Sequence, residues 1–250
     1  MFPVLSNEKV ASDIYVVRFH APQIARTTNP GQFVNIKVDQ SYSPFLRRPF
    51  SVYDVDGDDV DIVFNVVGRG TAILSSKRPD ELLDVIGPLG RPFLADDDYS
   101  TAVIVAGGLG VAPFPLLTRF LKKEDKKIVT FLGSRTGSML VPQRLVNARL
   151  ATLDGSAGFR GTVVELVERA FEEDRVDRPK FFGCGPNPML RALARLVDRF
   201  KAPCEVSLEC TMGCGFGICQ GCPVELRNSG IRYSLVCKEG PVYSISSIIV

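Results

Sequence analysis

The sequence predicts a β + α/β protein: an antiparallel β-barrel, then a doubly wound parallel-sheet domain, then a small C-terminal domain. Short runs of β-branched and aromatic residues, separated by turn residues, fill the first third of the chain. Apolar strands then alternate with helical patterns, and cysteines cluster at a regular spacing in the last quarter. The predicted domain limits are 1–96, 97–204 and 205–250.

The barrel is predicted from strands that end at residues favouring turns. Val, Ile and Phe are frequent in the segments 14–19, 31–38 and 60–67, and these residue types favour strands. Turn residues stand between them, as in Asn29-Pro30-Gly31 and Asp56-Gly57-Asp58. No long helical pattern interrupts these segments, so a small antiparallel barrel is the expected architecture.

Two barrel segments and the helix after them carry residues suited to an anionic ligand. Arg48-Pro49-Phe50-Ser51 lies in one segment and Val63-Phe64-Asn65 in another. Gly70 and Thr71 stand at the opening of a predicted helix, where free backbone N–H groups and the helix dipole attract phosphate. Pro49 at a strand edge can be purely structural, but the order of the three segments favours a binding site.

The second domain begins with an apolar strand that runs into a glycine turn. Residues 101–106 precede Gly107, Gly108 and Gly110, and a predicted helix follows. Parallel sheets present helix N-termini to phosphate in this way, although Pro113 replaces the third glycine of the G-x-G-x-x-G fingerprint. The turn is either an ordinary βα connection or a dinucleotide site. The later predicted elements are helix 114–122, strand 127–135, a helix from before Pro142 through Arg149, a strand ending at 151–156, helix 162–171, strand 180–186 and helix 188–200.

Four cysteines near the C-terminus have the spacing of a two-iron two-sulfur site. Cys214, Cys219 and Cys222 form C-x4-C-x2-C, and Cys237 follows after fourteen residues, which is the plant-ferredoxin pattern. Glycines in the loop let the backbone wrap closely around inorganic sulfide. Zinc sites more often pair two C-x2-C knuckles, so zinc is the alternative metal, and the odd total of seven cysteines argues against a disulfide framework. The other cysteines are expected to be small buried residues: Cys184, Cys204 and Cys210.

Composition excludes several classes of protein. The net charge is +2 at pH 7 and no basic run exceeds two residues, so no nucleic-acid partner is expected. No basic leader precedes an apolar block and no stretch approaches eighteen apolar residues, so a cytoplasmic location without membrane association is expected. The single histidine, His20, rules out most His-dependent hydrolytic or zinc chemistry and is expected on a surface strand.

Together these motifs resemble the ferredoxin-NADP reductase superfamily, and nearly the whole chain resembles the electron-transfer subunits of class B dihydroorotate dehydrogenases. Beyond the motifs above, the resemblance rests on Gly87-Pro88-Leu89-Gly90, Asp154-Gly155-Ser156, the residues 207–213 that lead into the cysteine motif, and the end segment 236–243. It implies that the barrel binds FAD, that the second domain binds NAD(H), and that the four spaced cysteines hold the cluster.

The resemblance also implies individual site residues. Arg48 and Ser51 would contact the flavin and its diphosphate, and Gly70 and Thr71 would hold the pyrophosphate. Cys184 has two interpretations, a residue near the hydride path or a buried thiol at a strand end. The other implied contacts are Pro49, Phe50, Val63, Phe64 and Asn65 for FAD, and Gly107, Gly108, Gly110, Cys184 and Gly185 for NAD(H).

The function implied by the resemblance is electron transfer between NAD(H) and a partner subunit, through FAD and the 2Fe–2S cluster. The partner would be an FMN-containing dihydroorotate dehydrogenase catalytic subunit, which oxidises dihydroorotate to orotate in pyrimidine (UMP) biosynthesis. Two copies of each subunit would form a heterotetramer. The sequence shows no recognisable catalytic triad, which agrees with a protein that positions redox centres.

Other functions stay open on the sequence alone. FAD and 2Fe–2S subunits of NADPH-ferredoxin, sulfide-linked and hydrogenase-linked oxidoreductases share these domains and differ in their partners. A structural or regulatory flavoprotein would bind FAD without turnover, and a zinc-binding interaction module would be colourless. Ser134 and Arg135 could hold a 2′-phosphate and favour NADPH, whereas the resemblance favours NADH.

Overall fold

The structure is a computed structural model that describes residues 1–95, 97–174, 176–227 and 230–250. Six strands in the first of these ranges form a closed antiparallel barrel: β1 (Phe2–Ala11), β2 (Ile14–His20), β3 (Phe33–Lys37), β4 (Arg48–Asp56), β5 (Asp59–Asn65) and β6 (Leu82–Leu89). Around the barrel they follow the order β1-β2-β5-β4-β3-β6. Two short helices accompany them: α1 (Pro22–Ala25) and α2 (Arg69–Ser75). The predicted barrel is confirmed.

The side chains of strand β3 alternate between the barrel core and the opposite face of the strand. Residues that belong to the barrel core alternate with Phe33 and Asn35, which lie on the other face of the strand. The antiparallel register places Phe33 opposite Ser51, and Asn35 opposite Pro49, on the neighbouring strand β4. One face of β3 therefore lies directly beside the segment in which flavin contacts are predicted.

The other strands of the described residues are β7 (Thr101–Gly107), β8 (Lys127–Ser134), β9 (Ala148–Thr152), β10 (Phe159–Arg160), β11 (Pro179–Cys184), β12 (Cys204–Ser207), β13 (Pro223–Glu225), β14 (Tyr233–Leu235) and β15 (Val242–Ser244). Seven of them form one sheet in the order β10-β9-β8-β7-β11-β12-β15, and β15 alone among these runs antiparallel to its neighbour. The strands β13 and β14 pair separately as a hairpin.

Helices cover both faces of this sheet, which confirms the doubly wound fold. They are α3 (Phe114–Lys123), α4 (Val163–Glu173) and α5 (Asn187–Phe200). α3 packs in one apolar cluster with Ile104, whereas α4 and α5 pack with Val103 on the opposite face. A capping box starts α4, because Thr162 Oγ1 accepts the N–H of Glu165 at 3.2 Å and Glu165 Oε2 accepts the N–H of Thr162 at 2.7 Å.

The prediction of a helix from before Pro142 through Arg149 was wrong. This segment forms turns, and β9 begins at Ala148. Arg144 and Asn147 have φ angles of 69° and 49°, which lie outside the range of a right-handed helix. Arg144 pairs with carboxylates of the barrel, so a tertiary contact overrides the local helical pattern.

The C-terminal segment leaves the large sheet and returns to it. β12 ends at Ser207, and β15 pairs beside it from Val242 onward. The cysteine loop and the β13–β14 hairpin lie between these two strands in the chain. The domain limits 1–96, 97–204 and 205–250 stay a prediction: the last range contributes strands to the sheet of the second, and Asp96 lies outside the described residues.

An apolar cluster and a network of ion pairs join the barrel to the α/β unit. Val63 of the barrel belongs to the same cluster as Phe114 of α3. Asp61, whose side chain is 2% exposed, accepts hydrogen bonds of 2.7 and 2.9 Å from Arg18 and also pairs with Arg144 of the second unit. These contacts set how the two units face one another.

The position of His20 and the character of the helices bear on two of the sequence-based predictions. His20 ends β2 and is exposed, with its Nδ1 2.8 Å from Oδ1 of Asp59, so its predicted place on a surface strand is confirmed. In the part of the chain that the structure describes, no helix combines the length and the apolar character needed to cross a bilayer.

Candidate functional site

The nine residues predicted to contact FAD line a single cavity of about 430 Å³. Antiparallel pairing of β4 with β5 brings two of the predicted segments side by side, and α2 follows β5 after a short turn. The residues that the fold brings together in this way are Arg48, Pro49, Phe50, Ser51, Val63, Phe64, Asn65, Gly70 and Thr71.

The start of α2 and the guanidinium of Arg48 form a polar end of this cavity. Thr71 Oγ1 accepts the N–H groups of Val67 at 2.9 Å and of Gly68 at 3.2 Å, so the hydroxyl caps the turn before the helix. A Cβ atom added to Gly70 would lie 3.0 Å from Nε of Arg48, so the guanidinium passes directly beside the helix start. A cation next to the first N–H groups of a helix suits a phosphate ligand, and these residues fit the diphosphate of FAD.

The C-terminal segment supplies a wall of the cavity that the sequence-based prediction missed. Leu208, Glu209, Cys210 and Met212 line the cavity, as does Phe33 of β3. Burial raises the pKa of the Glu209 carboxyl, which favours its protonated form. The only sequence signal for these residues is their position directly before the cysteine motif, which does not by itself place them against the barrel.

The residues predicted for NAD(H) lie together where β7 and β11 end. A Cβ atom added to Gly110 would stand 2.2 Å from the carbonyl oxygen of Cys184, and one on Gly107 would stand 2.5 Å from Sδ of Met189. The turns that follow β7 and β11 are therefore in direct contact, and there is no room for a side chain at Gly107 or Gly110. The residues gathered there are Gly107, Gly108, Gly110, Cys184 and Gly185, and none of them is among the described residues that line the flavin cavity.

Cys184 is a buried thiol at the end of β11. Burial raises its pKa well above the usual value, and the nearby Glu209 raises the pKa further, so a thiolate is disfavoured here. Leu109, which lies within the adjacent glycine turn, lines the flavin cavity. The thiol therefore stands between the two predicted ligand sites and is suited to packing rather than to nucleophilic or basic chemistry.

The predicted 2′-phosphate contacts are only partly free to bind. The Ser134 hydroxyl donates a hydrogen bond to the carbonyl of Thr136 within its own turn. Beside it, the N–H of Asp154 donates to the carbonyl of Arg135 at 3.3 Å. The carboxylate of Asp154 accepts hydrogen bonds from the N–H and the hydroxyl of Ser156, at 2.9 and 2.6 Å.

The four predicted cluster ligands lie in two pairs. The N–H of Cys214 donates to Sγ of Cys219, and the N–H of Cys219 donates to Sγ of Cys214, both at 3.4 Å. The second pair is closer, with 3.2 Å between the Sγ atoms of Cys222 and Cys237. Among the described residues, no three Cys, His, Asp or Glu side chains converge on one point as ligands of a single ion would.

Two cysteine pairs and a glycine-rich loop fit a two-iron cluster. A 2Fe–2S cluster takes four cysteine thiolates shared between two irons. Gly215 and Gly217 have φ angles of 83° and 91°, which glycine adopts without strain. Burial opposes ionisation of the Cys214 thiol, but N–H donors, chiefly that of Cys219, outweigh it and lower the pKa to about 6. The loop thus favours the thiolate form of Cys214, whereas burial raises the pKa of Cys237 to about 12.

The cysteine loop and the flavin cavity are in contact through Cys210. Cys210 lines the cavity, and it packs against the apolar cluster that contains the predicted ligand Cys222. Cys204, by contrast, is buried in β12. The structure therefore brings the four predicted ligands to one loop system and places one leftover cysteine between them and the flavin cavity.

Comparisons with known proteins decide the family. Residues 209–249 match the family model of the iron-sulfur cluster binding domain of dihydroorotate dehydrogenase B. The dihydroorotate dehydrogenase B (NAD(+)) electron transfer subunit of Desulforamulus reducens is 37% identical over 248 residues, which cover 96% of this chain and 94% of the relative. This chain belongs to that family. The subunit of Bacillus caldolyticus is also 37% identical, over 98% of this chain and 96% of its own length.

Solved structures agree with the assignment to the dihydroorotate dehydrogenase B electron-transfer subunits. A chain of the NADH-dependent reduced ferredoxin-NADP oxidoreductase superposes with a TM-score of 0.88 at 28% identity, covering 100% of this chain and 90% of that one. The ferredoxin NADP+ reductase of Neisseria gonorrhoeae, solved with bound FAD and NADP, superposes with a TM-score of 0.65 at 14% identity, over 79% of this chain and 89% of that chain. This second likeness shows the shared fold.

Family membership confirms the main predictions made from the sequence. The protein is an electron-transfer subunit of an NAD-linked oxidoreductase, with FAD, an iron–sulfur cluster and NAD(H) as its cofactors. An electron-transfer subunit works with a catalytic partner subunit.

Proposed function

We propose that this subunit carries electrons between NAD(H) and a catalytic partner that contains FMN and oxidises dihydroorotate to orotate in pyrimidine biosynthesis. FAD would occupy the barrel cavity, and Cys214, Cys219, Cys222 and Cys237 would hold the 2Fe–2S cluster. The observation that carries the proposal is that Leu208, Glu209, Cys210 and Met212, just before the first cluster ligand, line the flavin cavity. The two redox sites therefore share a wall.

Within this proposal, bound FAD supplies hydride exchange with NAD(H) and single-electron exchange with the cluster. Arg48 and the start of α2 hold the diphosphate through charge and backbone N–H groups. Phe33 and Val63 exclude water from the apolar part of the cavity. Burial raises the pKa of the Glu209 carboxyl, which lowers the tendency of this wall residue to carry a negative charge in the cavity. The residues proposed for the nicotinamide part are those gathered at the ends of β7 and β11.

NADH is the proposed nicotinamide. The relatives that define the family are named as NAD(+)-dependent subunits. The Ser134 hydroxyl is already engaged within its own turn. Both observations favour NADH over the alternative prediction of NADPH.

The cysteine loop is the proposed face for the catalytic partner. Ile218 is 75% exposed and Phe216 is 44% exposed on this loop, next to the exposed Cys219. Neighbouring apolar side chains exposed on a loop are typical of protein interfaces. Burial of this loop against the partner would bring the cluster close to the FMN, in a heterotetramer of two subunits of each kind. The cytoplasmic location stays a prediction.

The proposal is tested by mixing the subunit with an FMN-containing dihydroorotate dehydrogenase catalytic subunit. Dihydroorotate-dependent reduction of NAD+ should require both subunits, and Ile218→Asp should weaken their association by tenfold or more, on the order expected for an interface hot spot. Leu5→Asp, at an exposed apolar residue of β1, is the matched control. Full NAD+ reduction by the catalytic subunit alone would refute the proposal.

A second candidate function comes from the match that covers 100% of this chain, the NADH-dependent reduced ferredoxin-NADP oxidoreductase. In that case reduced ferredoxin, rather than dihydroorotate with its catalytic subunit, would supply the electrons. Rapid NAD+ reduction with reduced ferredoxin and none with dihydroorotate plus the catalytic subunit would favour this alternative.

A further inference from the structure

Asn35 joins the flavin barrel to the cysteine loop through a single side chain. Its Nδ2 donates a hydrogen bond of 2.8 Å to the carbonyl oxygen of Cys214, although the two residues are 179 positions apart in the chain. Asn35 is only 1% exposed. Burying an amide is costly unless it is hydrogen-bonded, so the bond to Cys214 is the contact that offsets the burial of Asn35.

The contact is close enough to require glycine in the loop. A Cβ atom added to Gly215 would lie 2.3 Å from Nδ2 of Asn35, a distance that no side chain could occupy. Gly215 also has a φ angle of 83°, which favours glycine. The backbone next to Cys214 therefore packs directly against β3, in contact with the amide of Asn35.

The same face of β3 also borders the flavin cavity. Phe33, two residues before Asn35, lines that cavity and belongs to the apolar cluster that contains Cys222 and Cys237. Across the ladder, Phe33 stands opposite Ser51 and Asn35 opposite Pro49, and both partners line the cavity. Residues that contact the cysteine loop and residues that contact the flavin site are therefore cross-strand neighbours, with Cα atoms about 5 Å apart.

The second polar atom of the Asn35 amide, Oδ1, indicates that the amide serves the hydrogen bond to the loop rather than the stability of the barrel. Oδ1 is buried and has no hydrogen-bond partner among the described residues. An unpaired buried carbonyl is destabilising, so the site is not optimised for barrel stability. An apolar residue of similar size would avoid this cost and would lose only the contact with Cys214.

We infer that Asn35 is a positioning residue that sets the distance between the iron–sulfur cluster and the flavin. The inference rests on the proposed occupancy of the two sites. Electron transfer slows steeply as the separation of two centres grows, so a loop held on β3 keeps the cluster at a short and constant distance from the flavin. Asn35 is not among the described residues that line the flavin cavity, so it would act through the backbone of Cys214.

Two substitutions test this role in the full-length holoprotein. Asn35→Leu keeps the branched shape and removes the donor, and Asn35→Asp keeps the shape and replaces the donor by an acceptor. Each variant should retain iron and should accept electrons from NADH into its flavin at a rate within about twofold of the wild type. Reduction of the cluster, followed by freeze-quench EPR, should slow by on the order of tenfold or more, as small displacements of reacting groups do. The EPR g-values of the reduced cluster should change as well.

Asn7 offers a matched control within the same barrel. Its Nδ2 also donates to backbone carbonyls, those of Leu74 at 3.0 Å and Lys77 at 2.9 Å, and its Oδ1 is also a buried atom without a hydrogen-bond partner in the described part of the chain. Asn7→Leu likewise removes a barrel amide, but one whose partners lie outside the cysteine loop. Its cluster reduction rate and EPR signal should match the wild type.

The outcomes separate this inference from the proposed function. Wild-type cluster reduction and EPR signals in both Asn35 variants would refute the positioning role. Loss of iron from both would also refute it, because Asn35 would then be needed to form the cluster site rather than to set its distance. A wild-type protein without flavin or iron would instead contradict the proposed function.

Discussion

Compared with the cysteine loop, the barrel side of the flavin cavity is made from regular structure. Its predicted contacts lie on β4, on β5 and at the start of α2, where strand pairing and a helix fix the backbone. The cysteine loop has no strand or helix between Leu208 and Cys222 in the described structure. It relies on glycines with positive φ angles, N–H···S contacts and a few hydrogen bonds, among them the one from Asn35 and one from Gln220 to the carbonyl of Gly217.

This difference indicates two kinds of binding site. The cavity should be formed before FAD arrives, because its walls are held by the barrel. The loop should gain much of its order from iron, because metal binding supplies free energy that a short loop lacks. Loss of a cysteine ligand from the loop should therefore abolish one cofactor completely, and changes in the cavity should weaken binding of the other gradually.

The largest effect is expected for Cys219→Ser. Removing one thiolate from a four-cysteine site should abolish iron binding and the visible absorption of the cluster, while FAD stays bound and NADH still reduces an artificial acceptor. Cys204→Ala removes a buried thiol outside the loop and serves as the control. Unchanged iron content in the Cys219→Ser protein would refute the ligand assignment. It would also remove the expected difference between the loop and the cavity.

Arg48→Met should have an intermediate effect on the cavity alone. The side-chain stem is kept, but a charge-assisted hydrogen bond to the diphosphate is lost, which corresponds to about a 10- to 100-fold rise in the Kd of FAD. Titration of FAD into the apoprotein measures this change. Iron content should not change, and Arg26→Met, at an arginine that pairs with Asp58 on the barrel surface, should leave FAD binding as it is. Equal losses of FAD in both variants would contradict the role of Arg48.

The smallest effect on the cofactors is expected for Asp61→Asn, in the network that joins the two units. Arg18 and Arg144 would lose the charge of their buried partner, and the free energy of unfolding should fall by about 2–3 kcal/mol. FAD and iron contents should be close to those of the wild type. Asp59→Asn, at a partly exposed residue beside His20, should cost less than about 0.5 kcal/mol in the same denaturant titration. A similar loss in both variants would argue against the network.

Local sequence patterns were sufficient to predict the barrel, the alternating α/β domain and the four spaced cysteines. They failed where distant residues decide the conformation. Arg144 leaves the helical pattern because it pairs with Asp61, far away in the chain. Glu209 lines the cavity, and Asn35 binds Cys214, only because the fold brings the cysteine loop onto β3. No periodicity or motif around Asn35 distinguishes it from an ordinary polar strand residue.

The most direct test of a connected flavin and cluster is a visible spectrum of anaerobically purified protein before and after NADH is added, with FAD and iron counted on the same sample. We expect one FAD and two irons per chain, with both the flavin and the cluster absorption bleached by NADH. A colourless protein that contains zinc, or a flavin that NADH reduces while the cluster stays oxidised, would contradict the connection of the two sites.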